Sequence, residues 1–294
     1  MFSLRARSGF VERGWSVRSL ALFFRDSWLD SVRAVHEHPW HVRALWRFAF
    51  FFSILALVLL WRVPGAGGRL ELALWTVLPA LLITGWASLY VNLVRAPDGS
   101  PVAGVGLPNY LTLLRLYLIG PVAVLLLQGR FTAALIVYAV LGLTDVVDGI
   151  VARVRGPVTA FGVVMDPLAD VVSTAVVFGV LTAIGVVPMW LFALLLVRYV
   201  MLIAGSLIFF LAVGPIEFRA TLPGKIVGVL QALSASALVV ALAVDPGAIP
   251  PMGRVLYPFL GLCFASIVVS QAVIGLRQRR RLLEAASQVV NSGA

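Results

Sequence analysis

The sequence predicts an all-α polytopic membrane protein, and three observations carry that. The chain of 294 residues is 61% hydrophobic and 12% charged, where soluble domains carry about 25% charged residues. Its mean hydropathy is +1.01. Its apolar residues fall in successive runs near the roughly 20 residues that cross a bilayer as helix. A water-soluble globule of this composition would precipitate.

Charge narrows the class further. The formal net charge is +10, from 23 Lys and Arg against 13 Asp and Glu. Lys225 is the single lysine. The arginines sit mainly in flanks between apolar runs. Membrane orientation and attraction to anionic lipid account for that placement, so nucleic-acid binding is set aside. Cys263 is the one cysteine and lies in an apolar run. It has no intramolecular disulfide partner and reads as a small packing residue.

Residues 1–46 form an interfacial, cytoplasmic segment. Arginines recur at 5, 7, 13, 18, 25, 33 and 43, with no clean apolar stretch of the kind a signal peptide needs. Over 16–36, Val17, Leu20, Ala21, Phe24, Trp28 and Val32 follow helical spacing, while Arg18, Arg25, Asp26 and Arg33 take other faces. That predicts an amphipathic helix, lying on the membrane surface or packed against another part of the protein. Trp15, Trp28, Trp40 and Trp46 suit an interface belt. His36, His38 and His41 read as a solvated turn around Pro39 rather than a metal site.

Residues 47–95 hold two spans, at 47–62 and 71–94, joined by a Pro64–Gly68 turn and followed by a Pro- and Gly-containing linker at 95–101. They read as a module in front of a core. Six closely spaced spans follow, near 108–128, 131–152, 162–185, 188–212, 222–244 and 255–276. The core covers 107–280, and 281–294 is a cytoplasmic tail with the potential for a short amphipathic helix. Eight spans put both termini on one side. That side collects the N-terminal arginines, Arg95, Arg153, Arg155, Arg219, Lys225 and the Arg277–Arg281 cluster; the other holds Arg62, Arg69, Arg130 and Arg254. The positive-inside rule puts the richer side, with both termini, in the cytoplasm.

The core is organised around residues 145–170. Asp145, Asp148, Asp166 and Asp170 lie within this stretch, four of the chain's 13 acids. Asp145 and Asp148 are i and i+3 at the end of one span and share a face. Gly149 and Ala152 continue that stripe with almost no side chain, so a helix or ligand can come close. Gly162, Asp166 and Asp170 are i, i+4 and i+8 at the start of the next, drifting by about 80° in all. Carboxylates at membrane depth cost about 2.5–3.5 kcal/mol each, and they repel one another. Divalent cations remove both problems. Ligation by carboxylates alone, without His or Cys, points to Mg²⁺ or Mn²⁺ rather than Zn²⁺. Two such ions about 3.5–4 Å apart would bridge a pyrophosphate in an in-line displacement. One of the acids, partly outside the metal shell, would serve as base.

The pattern Asp145-x2-Asp148-Gly149-x2-Ala152-Arg153-x8-Gly162-x3-Asp166-x3-Asp170 resembles, at every fixed position, the signature of the CDP-alcohol phosphotransferase (CDP-alcohol phosphatidyltransferase) family. The resemblance covers roughly 107–280. It implies a six-helix CDP-alcohol phosphotransferase core, here preceded by an amphipathic N-terminal helix and two extra transmembrane helices. By resemblance, Asp145, Asp148 and Asp166 bind metal, and Asp170 is the general base that also touches the second metal. Gly149 and Arg153 resemble the positions that hold the cytidine nucleotide and its phosphates. Thr159 matches a polar nucleotide contact, and Gly162 belongs to the same CDP-lipid-binding set. Pro108-Asn109-x2-Thr112-x2-Arg115 resembles the segment opening the first core span, with Asn109 and Thr112 as pyrophosphate contacts. Arg115 reads equally as a ligand contact or a structural arginine at a helix end.

Arg198, Arg219 and Lys225 form a candidate pocket for a phosphate on the acceptor. Arg219 and Lys225 also read as ordinary basic flanks, whereas Arg198 falls inside a span, where an arginine is a functional residue by default. Two departures touch this pocket. Gly224-Lys225-Ile-Val-Gly228 lacks the second basic residue and the hydroxyl of the family's G-K-x-K-T, and Val171 stands where relatives often have Lys. Asp166-Pro-Leu-Ala-Asp170 looks most like the phosphatidylglycerophosphate and cardiolipin synthase branches. The implied reaction is phosphatidyl transfer from CDP-diacylglycerol to an alcohol, with glycerol 3-phosphate leading, and release of CMP. Inositol phosphate, serine or phosphatidylglycerol as acceptor, or a CDP-aminoalcohol donor with diacylglycerol, are the nearest alternatives. A non-enzymatic cation-binding transporter or scaffold is the rival class; it would more naturally show internal repeats and acids spread over several spans. The bilayer of a bacterial inner membrane is the expected setting, with the active site cytoplasmic and a homodimer as the expected assembly.

Overall fold

The computed structural model describes residues 4–14, 16–62, 69–96, 100, 102, 104–154, 159–212 and 222–291. For 274–291, and for Asp145, Asp148, Gly149 and Arg153, the backbone alone is described. Trp15, the Pro64–Gly68 turn, most of the 97–101 linker, Arg155 and Arg219 lie outside the described residues.

Ten α-helices follow one another among these residues: α1 (Leu4–Arg13), α2 (Val17–Glu37), α3 (Pro39–Trp61), α4 (Arg69–Ser88), α5 (Leu107–Leu127), α6 (Phe131–Val154), α7 (Ala160–Ala183), α8 (Met189–Ala212), α9 (Leu222–Val244) and α10 (Ile249–Asn291). An apolar chain in lipid must satisfy its backbone internally, and helices do so segment by segment. Seven of these helices, among the described residues, are long and apolar enough to cross a membrane. The remaining expected span is α6, a 24-residue helix whose stretch Phe131–Thr144 is apolar.

The core spans fall close to the apolar runs, and the deviations have local causes. α3 begins at Pro39 rather than near 47, because proline is favoured in the first helical turn, where its missing N–H costs nothing. His38 joins α2 to α3 as the cap of both. α4 stops at Ser88, short of the expected Val94, and the chain turns through a short 3₁₀ segment, Val91–Leu93. The tail does not form a separate helix: α10 runs unbroken for 43 residues.

Connections dictate the packing. Gly129 (φ 71°) and Gly185 (φ 77°) end α5 and α7 in the left-handed conformation that favours glycine. Arg130 N then donates to Leu125 O, and Val186 N to Leu181 O, each at 2.8 Å. These short turns make α6 an antiparallel neighbour of α5, and α8 of α7. α5 and α7 therefore start at the same end of the bundle, the site end, where α4, α6 and α8 finish.

α5 is the axis of the assembly. It is 72% buried along its apolar stretch, against 18–39% for the other six apolar helices among the described residues. It packs on α4, α6 and α7. One apolar cluster joins α5 to α6–α10 through Val124, Phe178, Leu195, Leu238 and Phe264. A second joins α3, α4 and α7 to α5 through Leu45, Ala80, Leu113, Tyr117 and Met165. The outer faces carry exposed Ile136, Val200, Leu233 and Leu262, as expected of helices with lipid for solvent.

The N-terminal helices are both packed and exposed. Phe10 of α1 and Phe23 of α2 are buried against Phe210 and Leu211 at the last turn of α8. Arg7 Nε donates to the Phe210 carbonyl at 2.8 Å. The opposite side of α2 is open.

Candidate active site

α5 and α7 run parallel from the site end, and three polar rungs join them. Asn109, Thr112 and Arg115 stand at i, i+3 and i+6 on α5. Thr159, Gly162, Asp166 and Asp170 stand one turn apart along the start of α7. Steps of three on one helix and mostly four on the other keep each set of polar residues on one face of its own helix.

The first rung fixes the start of α7. Thr159 is its N-cap, accepting from Gly162 N at 3.2 Å. Asn109 Nδ2 donates to Thr159 Oγ1 at 2.8 Å and also to the Val105 carbonyl. Both side chains are buried, Asn109 at 2% exposure and Thr159 at 9%. Gly162 lies against them: a Cβ there would stand 2.8 Å from Asn109 Oδ1 and 3.8 Å from Asp166 Oδ2. Any side chain at 162 would push the amide out of its bonds.

In the second rung, Thr112 Oγ1 donates to Asp166 Oδ1 at 2.6 Å. In the third, Arg115 Nη1 donates to Asp170 Oδ1. The third is asymmetric, with side-chain exposures of 5% for Arg115 and 65% for Asp170. Arg115 is thereby a partner of the proposed base, and it stands near the middle of α5 rather than at a helix end. Because the acid is open, the pair's own contribution is discounted to about 1 kcal/mol or less; its consequence is to orient one carboxylate oxygen. The Asn109 and Thr112 positions and the 162, 166, 170 spacing were the available signals for the first two rungs.

Other expected site residues stand differently. Asp145, Asp148, Gly149 and Arg153 lie on the last turns of α6, which also ends at the site end, but their side chains are outside the described residues. Among the described residues no three His, Cys, Asp or Glu form a ligand set. Asp166 and Asp170 fit a hard dication by chemistry, as oxygen donors at the mouth of an apolar bundle, the latter exposed and both oriented by neighbours.

Arg198 sits in the middle of α8, away from the ladder. Its Nη1 donates to Gln231 Oε1 at 2.6 Å, and Gln231 Nε2 donates to Tyr199 OH at 2.6 Å. The guanidinium also lies over the Tyr199 and Phe264 rings, at 5.5 and 5.8 Å. Lys225 is exposed in the first turn of α9, more than one turn before Gln231. The two cations are at different depths, and Arg219 lies outside the described residues.

Comparison with known proteins accords with this arrangement. The family model for CDP-alcohol phosphatidyltransferase matches residues 105–274. A rat protein named cardiolipin synthase (CMP-forming) is 38% identical over 99 residues, 33% of each chain. A Mycobacterium tuberculosis protein named probable phosphatidylglycerophosphate synthase is 35% identical over 119 residues, 37% of this chain and 56% of that one. A Treponema pallidum protein named CDP-diacylglycerol–glycerol-3-phosphate 3-phosphatidyltransferase is 36% identical over 66 residues, 22% of this chain and 31% of that one. The matches thus span between about a third and about half the length of these relatives. No solved structure matches significantly. The matched stretch begins just before α5, ends within α10 and takes in every rung of the ladder, so the chain belongs to the CDP-alcohol phosphatidyltransferase family.

Proposed function

We propose that this protein transfers the phosphatidyl group of CDP-diacylglycerol to an acceptor hydroxyl and releases CMP. The observation that carries the reading is the ladder, which presents Asp166 and Asp170 side by side at one end of a lipid-facing bundle. The acceptor oxygen would bond to the phosphorus that carries diacylglycerol, the bond from that phosphorus to the bridging oxygen would break, and CMP would leave with that oxygen. The acceptor's proton would pass to the Asp170 carboxylate, which Arg115 holds by one oxygen. Asn109 and Thr159 would keep the start of α7 fixed, and Thr112 would orient Asp166. Gly149 and Arg153 of α6 would hold the nucleotide. Asp145, Asp148, Asp166 and Asp170 would bind Mg²⁺ or Mn²⁺, which when bound neutralises pyrophosphate charge.

Glycerol 3-phosphate leads as acceptor, its phosphate to be met by Lys225, Arg219 and Arg198. Phosphatidylglycerol is the second reading. It is favoured by the engagement of Arg198 with Gln231 and two rings, by the missing second basic residue after Lys225, and by relatives named cardiolipin synthase. The arginine distribution supports a cytoplasmic site and cytoplasmic termini. A homodimer stays part of the proposal, to be checked by mass measurement in detergent.

The test is CMP release by purified protein supplied with CDP-diacylglycerol, Mg²⁺ or Mn²⁺ and a panel of alcohols. Release with one acceptor identifies the substrate. No CMP with any acceptor or metal overturns the enzyme reading.

A further inference from the structure

α2 has two working faces, and the site end of the bundle uses only one. Ser19, Phe23 and Ala34 are its buried residues and lie on one line. Phe23 packs on the last turn of α8. Ala34 packs beside Val91 and Val94, just past the end of α4. One residue after α2 ends, α3 begins. Both anchor points are thus at the site ends of spans, so the α2 axis runs along the membrane surface rather than into it.

The other face is apolar and open. With Phe23 as origin and 3.6 residues per turn, Phe24, Val17, Trp28 and Ala21 lie about 100–160° round the helix. Val17 is 88% exposed, Trp28 57% and Phe24 44%. Next to that stripe, at about 200–220°, come Arg25 and Arg18, both exposed. The acids are elsewhere: Asp26, Asp30 and Glu37 lie within about 60° of the protein-facing line. Arg25 shares Asp26 Oδ1 at 2.9 Å in an exposed pair, of the weak kind with which a phosphate competes.

We infer that α2 docks by its Val17–Ala21–Phe24–Trp28 stripe into the headgroup boundary of the protein's own membrane, with Arg18 and Arg25 as a rim selecting anionic phospholipid. The argument rests on charge segregation and on continuity with the spans. The charged side chains next to the apolar stripe are basic, with Ser31 on its other border, and the helix is held at both ends at membrane level. The docked helix also abuts the Val91–Leu93 turn. Two residues beyond it, the Arg95 carbonyl accepts from Ala160 N at 3.0 Å, at the first residue of α7.

The test uses the full chain with Cys263→Ser, reconstituted in vesicles of phosphatidylcholine alone or with one third phosphatidylglycerol. Spin labels are placed through Phe24→Cys, Trp28→Cys or Arg25→Cys, and accessibility to oxygen is compared with accessibility to a water-soluble nickel complex. With anionic lipid, the oxygen-to-nickel ratio at 24 and 28 is expected to exceed that at 25 several-fold. In phosphatidylcholine alone the excess shrinks, and Arg18→Gln/Arg25→Gln removes the difference between the two vesicles at 24 and 28. Labels at 24 and 28 as open to nickel as the label at 25, in both vesicles, would overturn the docking. An equal excess in both vesicles would overturn the role of the rim. Neither arginine is buried, so the double variant keeps its fold, and size-exclusion elution checks that.

Discussion

On the side of α5 that faces α7, three polar side chains meet polar partners; on the side that faces α3 and α4, ring meets ring and backbone meets backbone. Tyr117 lies against Phe52 and Phe48, with centroids 5.0 and 5.7 Å apart. Its hydroxyl is 2.6 Å from Thr84 Oγ1. The Thr84 hydroxyl donates to the Ala80 carbonyl at 2.6 Å, so it accepts from Tyr117. A Cβ at Gly120 would fall onto the Trp75 carbonyl oxygen. The first side belongs to the stretch the family model matches. The second is built from helices in front of it. The contrast teaches that the extension is part of the wall behind the site: one helix is located by bonds on its reactive side and mainly by shape, beside the Tyr117–Thr84 bond, on its rear side.

If the division is right, the largest effect falls on chemistry alone. Asp170→Asn is expected to lower CMP release by about 10²–10⁴-fold, the range of a lost general base, while melting stays within a few degrees. Full turnover would remove Asp170 from the base role. The next effect falls on the rear wall. Gly120→Leu is expected to destabilise the protein by about 1–3 kcal/mol, the usual cost of overpacking, because its neighbour is backbone and cannot swing aside. Thermal unfolding in detergent reads this, and an unchanged melting point would mean α4 is not seated on α5. Gly162→Ala tests the site side by the same logic with a softer neighbour. A loss of about 1–2 kcal/mol is expected as Asn109 gives up its bonds, with activity falling further than stability. Equal losses in both would mean the first rung is only structural. Tyr117→Phe is the smallest, about 1 kcal/mol for one hydrogen bond, with the stacking kept and turnover little changed.

Much of this was legible in the sequence, and the rest for physical reasons was not. Hydropathy placed the six core helices to within a turn at most ends, because bilayer thickness dictates their length. The carboxylates of 145–170 stood out because acids are rare in an apolar chain. Arg115 did not, since its segment also read as the start of a span, where membrane orientation places structural arginines. Only its burial against Asp170 separates the two readings. The wall of α3 and α4 was invisible for a different reason. Phe48, Phe52 and Tyr117 are apolar residues in apolar helices, and nothing in their spacing distinguishes a side chain facing protein from one facing lipid. α2 was half legible: the helix and its packing on the rest of the protein are seen through Phe23 and Ala34, while its apolar Val17, Phe24 and Trp28 are exposed.

The placement of the hairpin before α5 has a consequence for how the chain enters the membrane. Synthesis runs from the N-terminus, so α3 and α4 are in the bilayer when α5 leaves the ribosome. α5 carries Arg115, and an arginine in a lone transmembrane helix costs about 2.5–3.5 kcal/mol. Its counter-charge, Asp170, is 55 residues further along and does not yet exist. During that interval the hairpin would offer Tyr117 and Gly120 the surfaces they meet in the folded protein, so α5 would be received by protein and not by lipid alone. The extension would act as a berth, built ahead of a helix that carries a buried arginine.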